Sequence, residues 1–118
     1  MDFKTYQKQA RLTAQYPNLG SNYIYPTLGL VGEAGEVAEK VKKVIRDKDG
    51  IFDEESKKGI KKELGDVLWY LSNLCTEFNF ELEEVALQNL EKLKLRAAKG
   101  KISGSGDCLL YTSDAADE

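Results

Sequence analysis

The stretch "VGEAGEVAEKVKKVI", residues 31–45, decides the fold. Its apolar residues recur at three- and four-residue steps, the spacing of one face of an α-helix. They are Val31, Ala34, Ala38, Val41 and Ile45. Gly32 and Gly35 interrupt this helix, although each glycine costs roughly 1 kcal/mol relative to alanine there. Their presence in a helical segment calls for a structural or functional reason.

Acidic residues accompany these glycines in a pattern that the chain repeats. Glu33 and Glu36 share a helix face, and "KELGDVL" (62–68) places Glu63 and Asp66 at the same spacing. Two such acid pairs brought together repel unless a cation lies between them. Carboxylate oxygens suit a hard ion, Mg²⁺ or Mn²⁺, better than zinc. The four acids are therefore predicted metal ligands; the alternative is two ordinary solvated helix faces.

The glycines suggest how the four acids would meet. Gly32, Gly35 and Gly65 carry no side chain. We therefore expect the two helices to approach closely at these positions and the carboxylates to converge across the gap.

The rest of the chain also has helical periodicity, and no segment alternates as a strand does. Pro26 suits the first turn of the second helix and Asp53 the N-cap of the third. The predicted helices span residues 2–15, about 26–46, 54–78 and 82–97, with a loop at 16–26 and a turn at Asp49-Gly50. This pattern predicts an all-α fold, an antiparallel four-helix bundle-like domain.

Composition limits the possible functions. The chain has 118 residues, a net charge of −3 and no histidine. An acidic chain is a poor binder of nucleic-acid polymers, and the lack of histidine excludes histidine metal ligands and Ser-His-Asp catalysis. No apolar run is long enough for a membrane span. With neither a signal nor a transit pattern at the N-terminus, a cytoplasmic location is expected.

The last stretch, "CLLYTSDAADE" (108–118), changes character abruptly after "GKISGSGD". It resembles the translation of a sequencing adapter. We therefore predict a domain over residues 1–107 and a non-native tail over 108–118; the alternative is a natural acidic tail. Aromatic residues at 6, 16, 23, 25, 69 and 70 exceed what one thin bundle hides, so a homo-oligomer that packs through its helices is also expected.

Two segments resemble a known family. "LGLVGEAGEVAEKVKK" (28–43) followed by "ELGDVLWYLSNL" (63–74) is similar to the MazG-like nucleoside triphosphate pyrophosphohydrolases of the all-α NTP pyrophosphatase superfamily. The family's ExxE and ExxD signature falls on Glu33, Glu36, Glu63 and Asp66. The resemblance implies Mg²⁺-dependent hydrolysis (Mn²⁺ as a possible substitute) between the α- and β-phosphates, giving a monophosphate and pyrophosphate. It also implies dimers or tetramers.

The resemblance and the chemistry together suggest roles for individual residues. Glu36 is the candidate that orients or deprotonates the attacking water, which a bound Mg²⁺ would make more acidic. Four residues are candidate phosphate ligands: Lys40, Asn89, Lys92 and Arg96. Four aromatic residues are candidates for stacking on the base: Trp69, Tyr70, Tyr23 and Tyr25. The alternatives are a solvated face for Lys92 and Arg96, and core or interface packing for the aromatic residues.

The predicted function is a nucleotide-pool-cleaning enzyme that acts on canonical or modified deoxynucleotides. One alternative is an enzyme like phosphoribosyl-ATP pyrophosphohydrolase, which uses a similar acid pattern. Another is a non-catalytic helical interaction module whose acids only keep it in solution.

Overall fold

The computed structural model describes residues 1–100, which form four α-helices and no strand. The helices are α1 (Phe3–Leu12), α2 (Ile24–Asp47), α3 (Glu54–Glu77) and α4 (Leu82–Ala98). The all-α class and the four predicted helices are confirmed, and the predicted tail at 108–118 lies outside the described residues. None of the helices within residues 1–100 has both the length and the apolar character of a membrane span.

Helices α2 and α3 form an antiparallel hairpin. Gly29 lies against Tyr70, Lys40 against Glu63, and Lys48 against Asp53, so residue numbers fall along α3 as they rise along α2. The hairpin turns at the predicted Asp49-Gly50 pair, where both residues have positive φ angles, 53° and 76°. We call the line of contact between the two helices the α2–α3 seam.

The N-terminus of α3 has the predicted cap. A carboxylate oxygen of Asp53 accepts a hydrogen bond from the Ser56 amide at 2.8 Å, which satisfies one of the amides that a helix leaves without a partner. The Lys48 ammonium lies 3.0 Å from the other oxygen of Asp53 and so connects the end of α2 to the start of α3.

Helix α1 packs antiparallel against the second half of α3. The amide of Gln7 donates to Thr76 Oγ1 at 3.1 Å, and the indole N–H of Trp69 donates to Thr13 Oγ1 at 2.8 Å. Cys75, in the same half of α3, is a buried free thiol. Its pKa is raised by burial, so it behaves as a small apolar side chain.

Helix α2 does not turn its predicted apolar face toward the core. The acidic face turns toward α3, whereas the predicted apolar stripe lies on the surface, with Val31 67% and Ile45 61% exposed. The apolar face of α3 is only partly buried, because Leu64 and Phe78 near its two ends are exposed. Helix α2 instead buries Pro26 and Val44.

The expected role of three glycines is wrong. A Cβ atom added at Gly32, Gly35 or Gly65 would meet no neighbour within 4 Å, so none of them is needed for α2 and α3 to approach. The close approach occurs at Gly29, where an added Cβ would overlap the ring carbons of Tyr70. Helix periodicity alone does not show which glycine faces the neighbouring helix.

The chain divides into two compact units. The first comprises Met1–Leu82 and holds α1, α2 and α3. The second begins at Glu83 and holds the remainder of α4.

Candidate metal centre

Three of the four predicted metal ligands meet at the α2–α3 seam. Glu33 of α2 and Glu63 and Asp66 of α3 each offer a carboxylate oxygen, and these oxygens all lie within 4.8 Å of one another. We call these three residues the acid triad. The antiparallel hairpin creates this cluster, because it brings the middle of α2 beside the middle of α3.

The carboxylates of the triad lie close enough to repel one another. Partial burial raises the pKa of Glu33, and a hydrogen bond with Glu63 and the charge of Asp66 raise it further. Carboxylates so close together disfavour each other's ionised forms, and a divalent cation between them would remove that cost. The donor set therefore fits a hard metal ion such as Mg²⁺.

Glu36 stands apart from the triad. It lies one helical turn beyond Glu33, and its side chain is exposed. Among the described residues, the group of carboxylates that could hold one ion does not include it. Its charge still contributes to the raised pKa of Glu33, so it lies near the cluster. Its assignment as a metal ligand and as the catalytic carboxylate stays a prediction.

Lys40 extends the seam toward the hairpin turn. Its ammonium lies 3.8 Å from a carboxylate oxygen of Glu63, so it is the basic group beside the triad on this side. Lys40 also borders a 280 Å³ cleft between α2 and α3, whose charged lining residues are Lys40, Lys43, Asp47, Lys48 and Glu55. The Lys40 ammonium thus puts one positive charge next to the carboxylates.

Aromatic side chains occupy the opposite end of the seam. Tyr16 and Tyr25 stack with ring centroids 5.0 Å apart, and Trp69 and Tyr70 meet edge to face at 5.0 Å. Tyr25 and Tyr70 lie 6.4 Å apart, which joins the two pairs into one aromatic cluster. Three predicted base-stacking residues thus come together, in company with Tyr16, which was not among them.

Tyr23, the fourth base-stacking candidate, belongs to a different stack. Its ring packs on Phe78 with centroids 5.5 Å apart, and Phe78 packs on Phe80 at the same distance. Tyr23 and both phenylalanines are exposed, so this stack lies on the surface beside the end of α3. Stacking on a base stays a prediction for all four residues.

The three phosphate-ligand candidates of α4 lie within the second unit. Asn89 and Lys92 line a depression of about 380 Å³ together with Val85 and Gln88. Arg96 is only 1% exposed, so the solvated face considered for it is wrong. The binding of phosphate by Asn89, Lys92 and Arg96 stays a prediction.

Two residues that make long-range contacts around α2 and α3 carry no recognisable signal in the sequence. Gly29 is one of several glycines in α2, and only the hairpin register distinguishes it. Glu77 is the last residue of α3, and its partners are 55 to 66 residues away along the chain. Long-range pairing of this kind is invisible to helix periodicity.

Comparison with known proteins identifies the family. Residues 25–100 match the MazG nucleotide pyrophosphohydrolase domain, and this range includes the acid triad, Glu36 and Lys40. The chain belongs to the MazG family. In this MazG chain, three of the four signature residues, Glu33, Glu63 and Asp66, form the acid triad. The resemblance noted from the two acid motifs is confirmed.

A phage protein is also similar to this MazG chain. The Gene 37 protein of Mycobacterium phage L5 is 46% identical over 112 residues, which covers 91% of this chain and 98% of the phage protein. No solved structure matches the chain.

Proposed function

We propose that this MazG-family protein is a Mg²⁺-dependent enzyme that hydrolyses nucleoside or deoxynucleoside triphosphates to the monophosphate and pyrophosphate, and that it serves in nucleotide-pool cleaning. The observation that carries the proposal is the order of groups along the α2–α3 seam. A lysine, three converging carboxylates and an aromatic cluster follow one another, which matches the phosphates, the metal and the base of a nucleotide.

The acid triad would hold the metal ion. Its carboxylates come from both helices, and the ion would also relieve the repulsion that, in addition to burial, raises the pKa of Glu33. A divalent ion there supplies charge neutralisation for the phosphates and a more acidic bound water. Mn²⁺ offers similar ligand preferences and is the expected substitute.

Glu36 and Lys40 would activate the attacking water and contact the phosphates, respectively. Glu36 is exposed beside the triad, where its carboxylate can orient a water or accept its proton. Lys40 would contact the phosphates, since its ammonium already lies beside Glu63. Phosphoryl transfer depends mainly on positioning and charge stabilisation, so these few groups suffice for the reaction class.

The decisive experiment is a panel of nucleoside triphosphates, deoxynucleoside triphosphates and phosphoribosyl-ATP, assayed with Mg²⁺, Mn²⁺ or EDTA. Chromatography would separate monophosphate from diphosphate products. We expect monophosphate and pyrophosphate with either metal and no turnover with EDTA. Release of inorganic phosphate and a diphosphate would contradict the proposal.

The same nucleotide panel also tests two alternative functions. Hydrolysis confined to phosphoribosyl-ATP would identify the related enzyme of histidine biosynthesis. No turnover of any nucleotide, with Glu36→Gln equal to wild type in stability with and without Mg²⁺, would indicate a non-catalytic helical module. We expect Glu36→Gln to fold normally and to lose turnover.

We also propose that the protein forms a homodimer or tetramer in which a second copy covers the exposed stripe of α2. Apolar residues run along that face at three- and four-residue steps, from Ile24 through Leu28 and Val31 to Ile45, and all four are more than half exposed. Gly32 and Gly35 beside them leave open space into which a neighbouring helix could pack.

A further inference from the structure

The contact between Tyr70 and Gly29 lies next to the acid triad. Gly29 is one helical turn before Glu33 on α2, and Tyr70 is one turn after Asp66 on α3. The Tyr70 ring rests so closely on Gly29 that a Cβ atom there would lie well under 3.0 Å from three ring carbons. Contacts below 3.0 Å force a displacement, so the absence of a side chain at residue 29 is a requirement of this packing.

Two other aromatic rings lie beside the Tyr70 ring. Trp69 meets it edge to face with centroids 5.0 Å apart, and Tyr25 lies against it at 6.4 Å. Burial raises the pKa of the Tyr70 hydroxyl, with further contributions from Tyr25 and Glu33, which is consistent with a ring held at the edge of the triad. A side chain added at residue 29 would therefore push against the Tyr70 ring, which packs beside Trp69 and Tyr25, and through it against α3.

The other glycines along the two helices differ from Gly29. An added Cβ at Gly32, Gly35 or Gly65 would meet nothing within 4 Å, and at Gly59 it would make ordinary contact with the Lys40 side chain at 3.7 Å. Among the helical glycines of the described residues, Gly29 alone has a neighbour that excludes a side chain. The contact is thus specific to the part of the seam beside the acids.

We propose that Tyr70 is a positioning residue of the metal centre. Its ring, seated on Gly29, sets the separation of α2 and α3 one turn from the triad, and thereby sets the distance from Glu33 to Glu63 and Asp66. This inference rests on the proposed metal site. Mg²⁺ and Mn²⁺ demand oxygen ligands within narrow distances, so a small increase in helix separation costs affinity even when every ligand is retained.

The inference gives Tyr70 a role other than base stacking. One face of its ring is occupied by the backbone at Gly29. Packing requires the ring but not the hydroxyl, so Tyr70→Phe should retain metal binding. Tyr70→Leu removes the ring and should weaken metal binding.

The test is Mn²⁺ binding to the full chain without nucleotide, measured by isothermal titration calorimetry. Wild type, Gly29→Ala, Tyr70→Leu, Tyr70→Phe and the double variant Gly29→Ala/Tyr70→Leu are compared, with Gly59→Ala as the control for the helix preference of alanine. Circular dichroism and thermal unfolding without metal establish that each variant is folded.

We expect Gly29→Ala and Tyr70→Leu each to raise the Mn²⁺ Kd by about tenfold, the scale of changes in groups that support metal ligands. Gly59→Ala and Tyr70→Phe should match wild type. The double variant should bind more tightly than the product of the two single effects predicts, because loss of the ring makes room for the added methyl group.

The outcomes separate this inference from the proposed function. Wild type that binds no Mn²⁺ overturns the metal site, and the inference with it. Wild type that binds while folded Gly29→Ala binds equally well overturns only the inference. If Gly29→Ala does not fold, the comparison of Tyr70→Leu with Tyr70→Phe decides. Equal Mn²⁺ Kd values for these two variants overturn the inference.

Discussion

Glu77 is a single buried carboxylate that holds the loop between α1 and α2. Its side chain is 1% exposed and accepts hydrogen bonds from Arg11, Tyr16 and the backbone amides of Gly20 and Asn22. Burial alone would raise its pKa, but these hydrogen bonds outweigh burial and lower the pKa to about 2. The loop that they secure leads directly into α2 and the aromatic end of the seam.

We therefore predict that Glu77→Gln destabilises the protein by roughly 3 kcal/mol at neutral pH, the equivalent of a pKa lowered from 4.5 to about 2. A carboxyl with a lowered folded-state pKa contributes fully above pH 4.5 and loses its contribution as the pH falls toward 2. Urea unfolding at several pH values measures this, with the exposed Glu54→Gln as control. A difference from wild type that persists undiminished at pH 2 would contradict the prediction.

The pKa of Glu33 is shifted in the opposite direction, because burial and then its acidic neighbours disfavour its charge. We predict that Glu33→Gln leaves the metal-free protein at least as stable as wild type, since it removes one repelling carboxylate. At 100 times the Kd, Mg²⁺ should stabilise wild type by about 2.7 kcal/mol, and the variant should lose this gain.

Thermal unfolding with Mg²⁺ and with EDTA measures both effects. The control is Glu39→Gln, which removes an acid of the same helix that pairs with Lys42 outside the triad. Equal stabilisation of wild type and Glu33→Gln by Mg²⁺ would argue against Glu33 as a ligand.

At the scale of the elements, the α2–α3 hairpin is the structure that assembles the triad. Its turn uses Asp49 and Gly50 at positive φ, and its second helix begins at the Asp53 cap. Both features are local and fix where α2 ends and α3 begins, whereas packing between the two helices places Glu33 beside Glu63 and Asp66. Any change at the cap acts on the helix that supplies two of the three carboxylates.

We predict that Asp53→Ala costs about 1 kcal/mol of stability, the usual value of an N-cap side chain. Asp53→Asn should retain most of the wild-type stability, because the asparagine side-chain oxygen can still accept the hydrogen bond from the Ser56 amide. Chemical denaturation of the two variants and wild type makes the comparison. An Asn variant as unstable as the Ala variant would instead assign the loss to the contact with Lys48.

At the scale of the whole molecule, α2 presents two chemically different faces. Its acidic face meets α3 within the chain, while its apolar stripe, including Leu28 and Val31, lies exposed. Exposed apolar area of this extent on one helix is typical of an interface. A second copy would bury the stripe without disturbing the triad on the other face.

We predict that Val31→Glu converts the proposed oligomer to a monomer without unfolding it, because Val31 is already 67% exposed within one chain. Sedimentation velocity over a range of protein concentrations measures the assembly state. Gln9→Glu is the matched control, since it adds the same charge at an exposed position of α1. A wild-type protein that is monomeric at all concentrations tested would refute the proposed interface.

Local chemistry accounts for the features of this protein that its sequence by itself determines. Helix periodicity, the Asp53 cap and the Asp49-Gly50 turn depend on residues within a few positions of one another, so the four helices can be located from the chain alone. The spacing of Glu33 with Glu36, and of Glu63 with Asp66, likewise places each pair on one helix face whatever the surroundings. The metal-ligand prediction therefore named all three members of the triad.

Long-range packing decides the features of the site that the sequence by itself does not. The register of α2 against α3 selects Gly29, rather than Gly32, Gly35 or Gly65, as the point of closest approach, and leaves Glu36 outside the triad. The same packing turns the acidic face of α2 inward and its apolar stripe outward. These features depend on contacts between residues 30 or more positions apart, whose free energies no local pattern encodes.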